Sequence, residues 1–191
     1  MTYMPRYADE VTEQRPQGPM TGGTMDLKDV FAAHLDREQP ISRRVLEHVP
    51  EGRPEWKPHD KSMNLGRLAT VVATMPSWVA MIVNQDELEL NPPGGTGAPQ
   101  AWSTTSDLVR MLEESGKQAR EALSRTSDGH LLTPWRLLVD GRVVMEHPRH
   151  VVIADTLTHI AHHRGQLTVY LRLNDAIVPS IYGPSADDRS F

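Results

Sequence analysis

Residues 155–174 read DTLTHIAHHRGQLTVYLRLN, and the apolar members of this stretch decide the fold class. Each residue of an α-helix turns the chain by about 100°. With that step Ile153, Leu157, Ile160, Ala161, Leu167, Thr168 and Leu171 fall on one face. The pattern predicts a helix beginning after Pro148 and running to about Asn174, with this face against a core. His159, His163, Gln166 and Tyr170 form a second stripe beside it, so the helix carries polar side chains along the edge of a buried surface.

His159 and His163 are four residues apart, which sets their Cβ atoms about 5–6 Å from each other. Imidazoles so placed can share a divalent ion, zinc or nickel, at about 2.0–2.1 Å each. Two histidines hydrogen-bonded to their neighbours, with no metal, produce the same pattern, and both readings stay open. The zinc-protease motif places a glutamate after its first histidine; Ile160 stands there, so proteolysis lacks its general base. His162 is turned about 80° away and reads as solvated. Arg164 lies near the core face, where a charge needs a partner; Asp26, Asp29 and Asp36 on the first helix are the candidates. His34, His48, His59, His130, His147 and His150 have no regular spacing and read as surface residues.

Working outward, three more helices are legible. The first starts after Thr24 with Asp26 and Asp29 in its opening turn, where the helix dipole favours acids, and Pro40 is expected to kink or break it near Gln39. A Pro-rich loop follows, with Trp56 as its anchor to the core. The second helix, from about Ser62, puts Leu65, Leu68, Ala69, Val72, Met75, Val79 and Ile82 on one face and is expected to bend at Pro76. Residues 91–104 are a loop by composition. The third helix buries Leu108, Met111, Leu112, Ala119, Ala122 and Leu123. Asp140-Gly141, between two short apolar runs, signals a hairpin before the last helix. The expected fold is all-α, a four-helix bundle, in residues 25–191, preceded by a flexible or extended arm over residues 1–24.

Composition narrows the chemistry. With no cysteine among 191 residues, disulfides, thiolate metal sites and a cysteine nucleophile are excluded, so any metal is held by nitrogen and oxygen. A formal charge of -5 gives no electrostatic basis for nucleic-acid binding. No apolar run approaches the roughly 20 residues that span a bilayer, the N-terminal segment lacks a signal-peptide core, and a cytoplasmic location is expected.

Three blocks, HIAHHRGQLTVYLR (159–172), WKPHDKSMNLGRLA (56–69) and VPSIYGP (178–184), resemble the DinB or YfiT-like group of metal-dependent four-helix-bundle proteins, over about residues 26–186. The resemblance implies a site of three histidines, one on the second helix and an H-x-x-x-H pair on the fourth. His159 and His163 match that pair. The position of the first, after LGRLA and one intervening residue, is Val71. A branched hydrocarbon has no lone pair to donate, and residues 63–85 hold no other histidine, aspartate or glutamate before Asp86. The divalent ion is therefore expected to bind weakly or not at all.

Two functions compete. One is a small-ligand binding or stress-response protein with a pocket drawn from His159, His163, Gln166, Tyr170, Arg164 and Val71, and with Trp78 or Trp102 as apolar wall. The other, implied by the resemblance, is a metal-dependent transferase or isomerase that uses a low-molecular-weight thiol as cosubstrate. A homodimer paired through flat helical faces is expected under either.

Overall fold

The long helix predicted around residues 155–174 is α6, Arg149–Leu173, entered directly from Pro148. Around it, a computed structural model describes residues 25–95 and 102–190, so the N-terminal arm expected over residues 1–24 lies outside the described part. Three further helical stretches pack with α6: α1 (Leu27–Leu46), the consecutive pair α2 (Leu65–Thr74) and α3 (Ser77–Asn84), and α4 (Thr105–Arg125). α1 and the α2–α3 pair each contact both α4 and α6. The short helix α5, Asp128–Leu131, leads into the sheet.

Local chemistry accounts for the boundaries. The Asn64 side chain accepts from the Arg67 amide and starts α2. Thr104 and Asp107 form a reciprocal capping box at α4. The break between α2 and α3 falls at Met75-Pro76, with a 53° bend, as the proline demands. Gly66 in the first turn of α2 allows the Pro-rich loop to lie against the helix: a Cβ there would sit 2.9 Å from Pro54 Cβ.

α1 is not broken at Pro40, where a kink or a break was expected. The proline removes its own amide bond and crowds the carbonyl of Asp36, but Phe31, Leu35, Ile41, Val45 and Leu46 on both sides of it are buried and hold both halves of the helix against its neighbours.

The fold is mostly helical but not all-α. β2 (Pro134–Val139) and β3 (Arg142–Pro148) form the antiparallel hairpin signalled by Asp140-Gly141, both turn residues having positive φ (52° and 73°) as a type I′ turn requires. A third strand, β1 (Glu87–Glu89), pairs parallel with β2 and makes a three-stranded mixed sheet. Three residues carry no periodic signal of their own, and the partner strand is remote in sequence. The Glu89 carboxylate reinforces the join by accepting from the amides of Asn91 (2.8 Å), Asp140 (3.1 Å) and Gly141 (2.8 Å). These amides hold it below the ordinary carboxylate range.

Two apolar clusters divide the interior. One joins Phe31, Leu35, Val79, Ile82, Leu123 and Trp135 to Ile153, Leu157 and Ile160 at the sheet end. The other joins Val45, Leu65, Leu68, Val72, Leu108 and Leu112 to Leu167 and Leu171. Every apolar position read from the second and third helices is buried. On α6, Ala161 and Thr168 are half-buried and the other five predicted core residues are buried. Among the described residues no single helix is long and apolar enough to cross a membrane.

Candidate functional site

Consecutive residues on α6 point in different directions, and this sorts the polar cluster of residues 159–166 into separate environments. His159, His162 and His163 lie together on the outer side: ring centroids are 4.5 Å apart for His159–His163, 5.2 Å for His162–His163 and 6.3 Å for His159–His162. His162 is exposed, as expected, yet it belongs to the same group. His163 Nδ1–H donates to Gln166 Oε1 at 2.8 Å, which leaves its Nε2 without a hydrogen-bond partner among the described residues. Burial, and then the neighbouring His163 and His162, push the His159 imidazolium pKa down, so this ring favours its neutral form.

Arg164 turns the opposite way and is 1 % exposed. Its partner is Glu38, not Asp26, Asp29 or Asp36: Nη2 reaches Glu38 Oε2 at 2.6 Å, while Nη1 donates to the Glu38 carbonyl (3.2 Å) and to Ser42 Oγ (3.1 Å). The inward stripe of α1 runs Phe31, Leu35, Glu38, Ser42, Val45, so Glu38 faces the interior. Asp36 faces outward to Arg120 at 2.6 Å. Tyr182 closes the arrangement: its hydroxyl accepts from Arg164 Nη2 and donates to Glu38 Oε2 (2.6 Å), and its ring lies 5.2 Å from the guanidinium carbon. Burial raises the Glu38 pKa, but the bonds from Tyr182 and Arg164 outweigh it and hold the carboxyl below its ordinary value. Burial and the bond to Glu38 push the Tyr182 phenol up.

Tyr170 is also committed elsewhere. It is buried in the second apolar cluster, its ring meets Trp56 edge-on at 5.4 Å, and its hydroxyl donates to the Met63 carbonyl at 3.1 Å. Trp102 serves the same end of the molecule, with Nε1 donating to Gly66 O at 3.2 Å. Of the expected pocket residues, only Gln166 joins the histidines. Val71 is half-buried against the first cluster, which includes Ile160, the residue after His159.

No distant histidine supplies a third ligand. His34 Nε2 lies 3.9 Å from Glu38, His48 donates to Arg44 O at 2.7 Å, and His59 accepts from the Lys61 amide at 3.1 Å. Among the described residues no group of three or more histidine, aspartate or glutamate side chains is arranged to hold a metal ion. The donor set offers two imidazoles where a structural or catalytic zinc site takes three or four protein ligands, so it does not fit a tightly held ion.

His159 has a second neighbourhood. Between α3, α6 and the sheet opens a cleft of about 470 Å³, walled by Trp78, Ile82, Trp135, Leu137, Met145 and Val152. Asp155 and His159, one turn apart and both exposed, supply its polar part. Thr156 also lines it, but its hydroxyl is spent on the Val152 carbonyl at 2.8 Å. Trp135 is 2 % exposed, and its Nε1 is buried without an acceptor among the described residues. Trp78 was legible as an apolar wall. The Asp155–His159 spacing of four was a further available signal, whereas Trp135, Leu137 and Met145 reach the cleft only through the sheet.

A second buried arginine joins the elements that frame this cleft. Arg149 donates to Ile82 O (3.0 Å), Thr133 Oγ1 (2.6 Å), Pro134 O (2.7 Å) and Gln85 O (3.2 Å), and pairs with Asp86. It ties the end of α3 to the start of β2 and of α6.

Comparison with known proteins agrees at the level of architecture. Neither a scan of protein-family models nor a search of curated proteins returns a match. Among solved structures, a DinB-like protein from Bacillus cereus superposes with a TM-score of 0.61 at 22 % identity, covering 80 % of this chain and 95 % of that one. A DinB-like protein from Bacillus subtilis superposes with a TM-score of 0.60 at 15 % identity, covering 84 % and 99 %. The helices, the hairpin before α6 and these likenesses together give the chain the fold of the DinB-like proteins.

Proposed function

We propose that the chain is a DinB-like four-helix-bundle protein, with α2–α3 counting as one bent helix, that binds a small and largely apolar ligand in the cleft beside His159. The carrying observation is that cleft: about 470 Å³ of space with apolar walls, next to a histidine group one ligand short of a metal site. Binding sites for small molecules combine apolar walls with a few polar groups in this way. The neutral probe N-phenyl-1-naphthylamine, added to protein treated with EDTA, is expected to bind saturably. Val152→Trp, which fills the cleft, is expected to weaken it by about tenfold or more, a loss of about 1.4 kcal/mol. No saturable binding, or equal binding by the variant, would overturn the reading.

A second reading is favoured by one detail, the His163 ring, whose Nδ1 is committed to Gln166 and whose Nε2, beside His159, has no hydrogen-bond partner among the described residues. Second-shell hydrogen bonds orient metal-bound histidines in this manner. On this reading His159 and His163 hold zinc or nickel, and the protein is a transferase or isomerase whose thiol arrives as a small cosubstrate, the chain having no cysteine of its own. Metal content after purification without a nickel column decides: close to one equivalent per chain, lost in His163→Ala, supports it, and less than about a tenth excludes it. Val71→His is expected to raise zinc affinity by restoring the third imidazole. An unchanged affinity would mean that Val71 does not face the pair.

A further inference from the structure

The charges around the cleft are unevenly satisfied. At the sheet, Asp86 is paired with Arg149, Glu87 lies 2.7 Å from Arg136, and Glu89 is held by the turn amides. Asp155 differs: among the described residues its carboxylate makes no ion pair and no hydrogen bond, though it lines an apolar cavity. Among the described residues no lysine or arginine lines the cleft, and Asp155 is the one formally charged side chain there. Of the two tryptophans in the wall, Trp135 is buried and Trp78 is the accessible one, and an indole face attracts cations.

We infer that the cleft selects a small organic cation, an apolar or aromatic amine whose body lies among Trp78, Trp135, Met145 and Val152 and whose ammonium group meets the Asp155 carboxylate. This rests on the ligand-binding reading above and specifies the ligand's charge. The groups left to a ligand point the same way. With Thr156 engaged, the Asp155 oxygens and the His159 ring are the exposed polar groups of the cleft, and carboxylate oxygens and a neutral imidazole nitrogen accept hydrogen bonds, as an ammonium group requires. An anionic ligand would be repelled by the same carboxylate, with no lysine or arginine among the described residues lining the cleft to offset it. A neutral apolar ligand would use the walls and leave Asp155 idle.

The test compares three probes of one shape on the full chain in EDTA, by isothermal titration calorimetry: 1-naphthylmethylamine, 1-naphthalenemethanol and 1-naphthoate. The amine is expected to bind about tenfold tighter than the alcohol, as an ion pair next to a low-dielectric wall allows, and the naphthoate more weakly than either. Asp155→Asn should bring the amine down to the affinity of the alcohol while leaving the alcohol unchanged, which also shows that the variant is folded. Equal affinity of amine and alcohol, or a preference that survives in Asp155→Asn, overturns the inference while the ligand-binding reading stands. Failure of all three probes to bind overturns both.

Discussion

His163 and Arg164 are adjacent on α6, yet they belong to different parts of the molecule. Arg164 is buried and bonded to Glu38, Ser42 and Tyr182, whereas His163 is half-buried with Gln166 as its single hydrogen-bond partner among the described residues. One residue of helical rotation separates a group whose partners are satisfied inside the protein from one whose ring nitrogen is left for something outside. The difference teaches that the density of polar residues at 159–166 is two signals superposed. Only the outward one, continued through His159 to Asp155 and the cleft, points to function.

The sharpest way to break this distinction is Arg164→Ala. It strands the Glu38 carboxylate in the interior, and the expected loss is about 3–5 kcal/mol in denaturant titration. A loss below about 1 kcal/mol would mean that the pair is not a structural element. Tyr182→Phe removes one hydroxyl from the same group, with an expected cost of about 1–3 kcal/mol.

Acid should act through the same site. The Glu38 pKa is lower in the folded than in the unfolded chain, so its contribution to stability is complete above its ordinary value of 4.5 and is lost as pH falls through the lower folded value. Thermal unfolding followed from pH 6 downward is expected to show a decline below about pH 4.5 that Glu38→Gln makes shallower. A slope identical in the variant would exclude Glu38 as a source. At the other end of the scale, His163→Ala should change stability by less than about 0.5 kcal/mol, the usual range for surface positions. A large loss would put the histidine in the structural class with Arg164.

The helices were legible because amphipathic periodicity is a property of each segment alone. Leu65, Leu68 and Val72, or Leu108, Leu112 and Ala119, announce their faces without reference to anything distant. The bend at Pro76 and the turn at Asp140-Gly141 follow from backbone rules of the same local kind. Pro40 shows their limit, since burial on both sides of it outweighs the missing amide bond and the crowding of the preceding turn. β1 was illegible because Glu87–Glu89 becomes a strand only through pairing with Arg136–Leu138. The candidate site divided along the same line. His159 and His163 were read from a spacing within one helix, and the need of Arg164 for a carboxylate from its place on the apolar face. That the carboxylate is Glu38, and that Trp135 and Met145 wall the cleft, depends on how separate elements meet.

The position of Tyr182 also sets an order of events during synthesis. It lies 18 residues beyond Arg164 and 144 beyond Glu38. At ribosomal speeds of about 5–20 residues per second, the interval before it follows Arg164 is about 1–4 s. For that time the guanidinium and the carboxylate exist without the phenol that bridges them. The ionic group is therefore completed by the segment that follows α6 and not by the helices alone.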